Sequence, residues 1–154
     1  MRNTQAMRLP QATRKLLAGR FDALRTELTA WFGRPVGACQ PPDILSYGPG
    51  SFFRPHTDTT NDPLHPQIRA RDLTAVLFLS DPQHPDNNPA QDERYAGGRL
   101  LLHRSTGPAT ETDEAMDVTG PAGTLVAFPA TTRHEVTPVT AGQRLTAVAW
   151  YTAT

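Results

Sequence analysis

The stretch TLVAFPATTRHEVTPVTAGQRLTAVAWYT, residues 124–152, decides the fold of this chain of 154 residues. It contains three strand-like runs, TLVAFPA, RHEVTPV and RLTAVAWYT, which polar and turn-forming residues separate. The run LVAF is apolar throughout, as is typical of a central strand that is buried on both faces. We therefore predict that this part of the chain forms a β-sheet.

The same pattern extends back to residue 42. Five further strand-like runs precede the quoted stretch: DILSYG, SFFRPHTD, DLTAVLFLSD, GRLLLH and a weak EAMDV. About eight strands with no second helix favour a mainly β fold that is closed or built of two antiparallel sheets, such as a jelly roll. Three connections are long and polar, at residues 59–71, 81–97 and 104–114. The first two are candidate lids or substrate contacts, with a plain solvated loop as the alternative.

An apolar stripe lies ahead of these strands, after a polar tail. Its members, at spacings of four, three, four and three residues, are Leu17, Phe21, Leu24, Leu28 and Trp31. This spacing predicts one amphipathic helix that ends at Gly33 and Pro35 and packs on the sheet. We expect a single domain over residues 1–154, with the tail and helix at 1–41 and the jelly-roll core at 42–154.

Composition narrows the classes of function. Lys and Arg number 15, as do Asp and Glu, so the net charge favours neither nucleic acid nor an acidic membrane surface as a partner. Cys39 is the only cysteine, so no internal disulfide can form and a reducing compartment fits. No apolar run reaches the length of a membrane span. We expect a cytoplasmic protein, with an arginine-rich organelle transit sequence as the alternative reading of the N-terminus.

Two short motifs supply metal-binding side chains. His56 and Asp58 stand two residues apart in SFFRPHTD, and side chains at i and i+2 of a strand share a face. By itself, a histidine and an aspartate two residues apart are a short pattern that also occurs often in proteins where it binds no metal. His134 opens the strand RHEVTPV, and two histidines with one carboxylate match the set that binds non-haem iron(II) and leaves positions open. A structural zinc site would use four protein ligands, usually with several cysteines.

The final strand adds a candidate anion clamp. Arg144 and Thr146 stand two residues apart and therefore share a face of RLTAVAWYT. A guanidinium beside a hydroxyl suits bidentate binding of a carboxylate. The alternative is an ordinary surface arginine.

Together these segments resemble the iron(II)/2-oxoglutarate-dependent dioxygenases, and within them the prolyl hydroxylase-like branch. The segments that carry the resemblance are YGPGSFFRPHTD, RDLTAVLFLSD, YAGGRLLL and AGTLVAFPATTRHEVTPVTAGQRLTAVAWY, which fall within residues 43–151. The resemblance implies a double-stranded β-helix, the cupin-like form of the jelly roll. It also implies that His56, Asp58 and His134 are the catalytic iron ligands and that Arg144 binds the distal carboxylate of 2-oxoglutarate.

Further roles follow from the same resemblance. Tyr47 and Thr146 would line the pocket for 2-oxoglutarate, and Arg71 and Trp150 would approach the substrate. Phe78 departs from the pattern, because animal oxygen-sensing prolyl hydroxylases have a second pocket tyrosine there. The resemblance therefore leaves one hydrogen bond to the distal carboxylate unaccounted for.

The implied activity is hydroxylation of an unactivated C–H bond in a prolyl residue, an amino acid or a peptide-like substrate, with release of succinate and carbon dioxide. The cofactors would be Fe(II), 2-oxoglutarate and O2, with ascorbate as a candidate reductant. The partner would be a small-molecule, peptide or protein substrate, with neither nucleic acid nor membrane involved. The alternatives are a non-catalytic cupin-like protein that binds a metal or ligand, and desaturation or cyclisation in the same site.

Overall fold

The computed structural model describes residues 1–84, 94–104 and 114–154. Its helices are α1 (Gln11–Ala23), α2 (Arg25–Phe32) and α3 (Pro66–Arg69). Its strands are, in chain order, β1 (Arg2–Asn3), β2 (Gln5–Ala6), β3 (Asp43–Tyr47), β4 (Phe52–His56), β5 (Arg71–Phe78), β6 (Ala96–Gly97), β7 (Leu100–His103), β8 (Ala115–Asp117), β9 (Leu125–Pro129), β10 (His134–Val136), β11 (Val139–Ala141) and β12 (Arg144–Thr152).

Two antiparallel five-stranded sheets form the body of the molecule. One sheet has the order β1-β4-β10-β7-β8 and the other the order β2-β3-β12-β5-β9, while β6 and β11 form a short ribbon. Each of the eight strand-like runs contains a strand, so the predicted jelly roll is confirmed. The four strands without a predicted counterpart are β1, β2, β6 and β11, which have two or three residues each and are too short to produce an alternating pattern.

Strand β12 separates the two cores of the structure. Its even-numbered residues from Arg144 to Trp150 face the first core, which lies between the sheets and includes Tyr47, Phe78 and Val148. Ala147, Ala149 and Tyr151 face the second core, where the sheet packs on Phe21 and Leu28 of the helices. After Arg144 and Thr146, the strand is apolar on both faces up to Tyr151 because both faces are largely buried.

The predicted N-terminal helix is present and ends at Phe32, directly before Gly33, but the expectation of one unbroken helix is wrong. The helix breaks at Leu24, whose N–H donates to the Phe21 carbonyl oxygen at 3.1 Å and closes a tighter turn between α1 and α2. Phe21 and Leu28 are buried as predicted, but Trp31 is 85% exposed. Phe32, four residues after Leu28, packs against the second core instead.

The expectation of no second helix is also wrong, since α3 forms a single turn inside the 59–71 connection. Pro66 stands at its start, where a proline has no intrahelical hydrogen bond to lose.

The polar tail pairs with both sheets. Strand β1 adds to β4, and β2 adds to β3. Between them, the Thr4 hydroxyl donates to the Ser46 carbonyl oxygen at 2.9 Å. Residues 2–6 therefore join the sheets along the edge where β3 and β4 would otherwise be end strands.

Among the described residues, no helix combines the length and apolar character that a membrane crossing requires.

Candidate active site

His56, Asp58 and His134 come together at one end of the space between the sheets. His56 ends β4, His134 begins β10, and the two are cross-strand partners. Asp58 lies just beyond β4, where its N–H donates to the Ala130 carbonyl oxygen at 2.9 Å. Its carboxylate lies between the rings, with Oδ1 3.4 Å from His56 Nε2 and Oδ2 3.5 Å from His134 Nε2. One ligand atom from each residue lies within 4.8 Å of the others, a spacing that could hold a metal ion.

Backbone carbonyls orient both imidazoles. Nδ1 of His56 lies 2.7 Å from the Arg54 carbonyl oxygen, and Nδ1 of His134 lies 2.9 Å from that of Thr132. Because a carbonyl oxygen only accepts, Nδ1 carries the proton in both rings, and Nε2 presents its lone pair to the cluster. Burial lowers the pKa of His134, which favours the neutral ring that a metal requires.

Packing and hydrogen bonding hold the cluster in place. The Phe53 ring stacks on His56 with centroids 3.6 Å apart, and Phe128 lies against His134 at 4.8 Å. The Thr74 hydroxyl donates to Asp58 Oδ2 at 2.8 Å. Burial by itself raises the pKa of Asp58, but His56 and His134 in their protonated forms and the Thr74 hydroxyl outweigh burial and lower that pKa to about 2, so Asp58 is already ionised at a pH where both rings are neutral. Two neutral nitrogens and one ionised carboxylate result, which is a donor set that suits ferrous iron.

Arg144 is a buried cation at the start of β12, with 1% of its surface exposed. Its Cζ lies 4.8 Å from the centre of the Tyr47 ring and 5.4 Å from that of Phe78. Its Nε and Nη1 are buried without a hydrogen-bond partner among the described residues. Burial lowers the pKa of the guanidinium, since a charge removed from water is destabilised. These groups fit an anionic ligand that would supply the missing partner.

One cavity, here called the site cavity, joins the cluster to Arg144. Its lining residues are Arg2, Leu45, Tyr47, Phe53, His56, Asp58, Thr74, Val76, Leu100, His134, Val136, Arg144, Thr146, Val148 and Trp150. The three predicted metal ligands and the three predicted co-substrate residues, Arg144, Tyr47 and Thr146, therefore share one space. A molecule with an acid group at each end could contact the cluster and Arg144 together.

The sequence profile of the 2OG-Fe(II) oxygenase superfamily matches residues 42–152, which include every strand from β3 to β12. The chain belongs to the 2OG-Fe(II) oxygenase superfamily.

Curated relatives resemble the chain over part of their length. A PKHD-type hydroxylase of Gluconacetobacter diazotrophicus is 35% identical over 112 residues, which are 71% of this chain and 42% of the relative. A PKHD-type hydroxylase of Bordetella pertussis is 36% identical over 113 residues, with the same two shares. The chain thus spans about two fifths of the length of these curated relatives.

Solved structures share the fold. A Pseudomonas putida prolyl-4-hydroxylase superimposes with a TM-score of 0.67 at 24% identity, over 100% of this chain and 74% of that one. A Trichoplax adhaerens prolyl hydroxylase, solved with a peptide fragment of the oxygen degradation domain of hypoxia inducible factor, gives 0.67 at 18% identity over 99% of this chain and 64% of that one. At these identities the likeness concerns the double-stranded β-helix of the 2OG-Fe(II) oxygenases.

Arg71 and Trp150, the predicted substrate residues, are in contact beside the cluster. The Arg71 guanidinium lies over the Trp150 ring with Cζ 3.7 Å from its centre. Arg71 also donates from Nη1 to the Asp58 carbonyl oxygen at 3.4 Å and from Nε to Gln40 Oε1 at 3.0 Å. Trp150 Nε1 is buried without a partner among the described residues. The structure thus places both residues next to His56, Asp58 and His134.

Sequence reasoning missed Tyr95, which is 1% exposed and lies beside Arg144. A Cβ placed on Gly98 would come within 2.8 Å of Arg144 Cδ and 3.5 Å of Tyr95 Cδ2. The Tyr95 hydroxyl is buried without a partner among residues 1–84, 94–104 and 114–154. The sequence feature that could have pointed to Tyr95 is its position two residues before Gly97-Gly98, where the chain re-enters the sheet. With Phe78 lacking a hydroxyl, Tyr95 is a second phenol beside the clamp.

The two candidate lids are described in part. Residues 59–71 contain α3, and the Thr59 hydroxyl donates to the Ile68 carbonyl oxygen at 3.3 Å. At the base of the 81–97 connection, the Gln83 N–H donates to the Tyr95 carbonyl oxygen at 2.7 Å. The remainder of that connection, 85–93, and residues 105–113 of the third lie outside the described residues.

Proposed function

We propose that the chain is an iron(II)- and 2-oxoglutarate-dependent oxygenase that hydroxylates an unactivated C–H bond and releases succinate and carbon dioxide. The observation that carries this proposal is the site cavity, in which a two-histidine, one-carboxylate cluster faces the same space as a buried arginine that has no carboxylate partner among the described residues. A protein that only bound a metal would gain nothing from burying Arg144 without a counter-charge.

His56, Asp58 and His134 would hold the iron. The described residues contribute three ligands to the cluster, so the metal would keep open positions for a keto acid and for dioxygen. When bound, the iron and its co-substrate would supply the oxidising chemistry that no amino-acid side chain can supply. Thr74 and the carbonyl groups of Arg54 and Thr132 would keep the ligands oriented.

Arg144 would neutralise the distal carboxylate of 2-oxoglutarate, with Tyr47 and Thr146 lining the same end of the cavity. Between the two ends the lining is largely aliphatic, namely Leu45, Val76, Leu100, Val136 and Val148. These side chains would exclude water, which strengthens the charged contacts inside and protects the reacting groups.

A prolyl residue, an amino acid or a peptide-like molecule is the proposed substrate. Arg71 and Trp150 lie beside Asp58 and offer a cation and an indole N–H to a polar substrate group. The named relatives support this class, because they are PKHD-type hydroxylases, and the solved neighbours are prolyl hydroxylases. Ascorbate is the proposed reductant.

The test is an anaerobic visible difference spectrum on adding Fe(II) and then 2-oxoglutarate. A weak charge-transfer band should appear only when both are present, since it reports the keto acid chelating the metal. His134→Ala should abolish the band, and Arg8→Gln, outside the site cavity, should retain it. Folded wild-type protein without a band would reject the proposal.

Substrate class needs a second assay. Succinate release would be measured with prolyl peptides, free proline and other free amino acids, each with ascorbate present. Release that rises with a prolyl peptide above the uncoupled background supports the proposed class. A protein with the charge-transfer band but no stimulation by any of these would have a different substrate.

A further inference from the structure

The N-terminal strand brings a second arginine into the site cavity. Arg2 is the cross-strand partner of Phe53, Phe53 of Val136, and Val136 of Leu100. Cross-strand partners project from the same face of a sheet, so these four side chains form one row across β1, β4, β10 and β7. All four line the site cavity. Arg2 is the end of that row at the sheet edge.

The ring of Phe53 lies between the Arg2 guanidinium and His56 of the histidine–aspartate cluster. Its Cζ is 5.8 Å from the centre of the Phe53 ring, and Phe53 stacks on His56 at 3.6 Å. No carboxylate among the described residues forms an ion pair with Arg2. Its charge reaches Tyr47, where it opposes the rise in pKa that burial causes. Arg2 and Arg144 therefore act on the same tyrosine.

The charged residues that line the site cavity favour the binding of a dianion. Among the described residues, two guanidinium groups, Arg2 and Arg144, and one carboxylate, Asp58, line the cavity, so the fixed charge of this part of the lining is positive before any metal binds. Arg144 is buried, whereas Arg2 is exposed at the cavity edge. An exposed cation attracts an incoming anion at long range, and a buried one fixes it in place.

We propose that Arg2 is a second binding residue for 2-oxoglutarate, delivered by β1, and this rests on the proposed function. Because Arg2 is exposed, its contribution to affinity is that of a solvent-screened ion pair, about two- to five-fold in Kd. The contribution should shrink at high ionic strength, since salt screens exposed charges. Arg2→Lys should keep most of the affinity, because it keeps the charge.

Binding through Arg2 should also order the segment that carries it. Residues 2–6 pair with β4 and β3 over two positions each, and the Thr4 hydroxyl donates to the Ser46 carbonyl oxygen at 2.9 Å. At the two ends of the segment, the Arg54 N–H donates to the Met1 carbonyl oxygen at 3.1 Å and the Met7 N–H to that of Ile44 at 2.9 Å. Strands this short, with few hydrogen bonds, open easily. A ligand that engages Arg2 adds a contact that opening would break.

The experiment compares wild type with Arg2→Gln, Arg2→Lys and Arg8→Gln. Arg8 lies two residues after this segment and lines a separate cleft against α1, so Arg8→Gln removes one positive charge without touching the site cavity. The Kd of 2-oxoglutarate is measured from the anaerobic charge-transfer band at low and high salt. Hydrogen exchange of residues 2–6 is measured with Mn(II), with and without 2-oxoglutarate. Thermal unfolding shows that each variant is folded.

The expected result is a Kd raised two- to five-fold by Arg2→Gln at low salt, less at high salt, with Arg2→Lys close to wild type and Arg8→Gln unchanged. 2-Oxoglutarate should slow exchange of residues 2–6 in wild type but not in Arg2→Gln. An unchanged Kd in Arg2→Gln, or an equal rise in Arg8→Gln, would overturn the inference. Either result leaves the proposed function standing, because the wild-type band tests that separately.

Discussion

At the scale of single residues, Arg144 combines a cost to stability with a role in binding. Its guanidinium is buried against Tyr47 and Phe78, and no carboxylate of the described residues neutralises it. Replacing an uncompensated buried charge with an apolar side chain of similar length removes the desolvation cost. Residues kept for function often reduce stability in this way.

We therefore expect Arg144→Met to raise the free energy of unfolding by about 1–3 kcal/mol, measured by urea denaturation without 2-oxoglutarate. The same variant should lose the charge-transfer band at 2-oxoglutarate concentrations that saturate wild type. Arg34→Met is the matched control, because Arg34 is ion-paired with Asp72 and should lose stability on substitution. A fall in stability for Arg144→Met would mean that its aromatic contacts outweigh the burial of its charge.

The sequence was sufficient to predict the residues whose chemistry and spacing are local. His56 and Asp58 are two residues apart, His134 opens a strand, and Arg144 opens the last one. Tyr95 and Arg2 were missed, because their positions beside the cavity depend on tertiary packing and strand register. A two-residue strand in a polar tail carries no alternating pattern from which its partner could be predicted.

At the scale of secondary-structure elements, the N-terminal helical region shows that hydrophobic periodicity alone does not determine which side chains pack on the sheet. The stripe from Leu17 to Trp31 fits a 3.6-residue period, but after Leu28 both the third and the fourth residue are apolar. The tighter turn at Leu24 starts a second helix in which Phe32, not Trp31, meets the sheet. The sequence pattern fits either Trp31 or Phe32 as the buried residue, and tertiary packing determines that it is Phe32.

The β6–β11 ribbon permits a test of backbone constraint at Gly97. Gly97 has φ +69°, and an added Cβ would lie 2.2 Å from the Pro138 carbonyl oxygen. Gly33 has φ +65° with nothing within 4 Å of an added Cβ. Gly33→Ala should therefore cost only about 1–2 kcal/mol for the left-handed conformation. Gly97→Ala should cost at least about 1–3 kcal/mol more, because the clash involves backbone.

Both free energies of unfolding would be measured by urea denaturation. Gly97→Ala should in addition weaken 2-oxoglutarate binding, because the adjacent Gly98 packs against the Arg144 side chain. Equal destabilisation by the two substitutions would show that the ribbon moves aside at little cost.

At the scale of the whole molecule, β12 lies between two packed layers, one of which lines the site cavity while the other supports the sheet. Arg144, Thr146, Val148 and Trp150 line the site cavity, and the alternate residues Ala147, Ala149 and Tyr151 pack toward the helices. The β-sandwich with an outer helical layer thus gives one strand a functional face and a supporting face. Substitutions on the two faces should separate binding from stability.

Two tyrosines test this separation. The buried Tyr151 hydroxyl donates to the Phe21 carbonyl oxygen of α1 at 2.7 Å, so Tyr151→Phe should cost about 0.5–1.5 kcal/mol of unfolding free energy. It should leave the Kd of 2-oxoglutarate unchanged, because Tyr151 faces away from the site cavity. Tyr47→Phe, which alters the cavity lining, should raise that Kd with a smaller effect on stability. Urea denaturation and the charge-transfer titration measure the two quantities, and a raised Kd in Tyr151→Phe would show that helix packing also sets the geometry of the site.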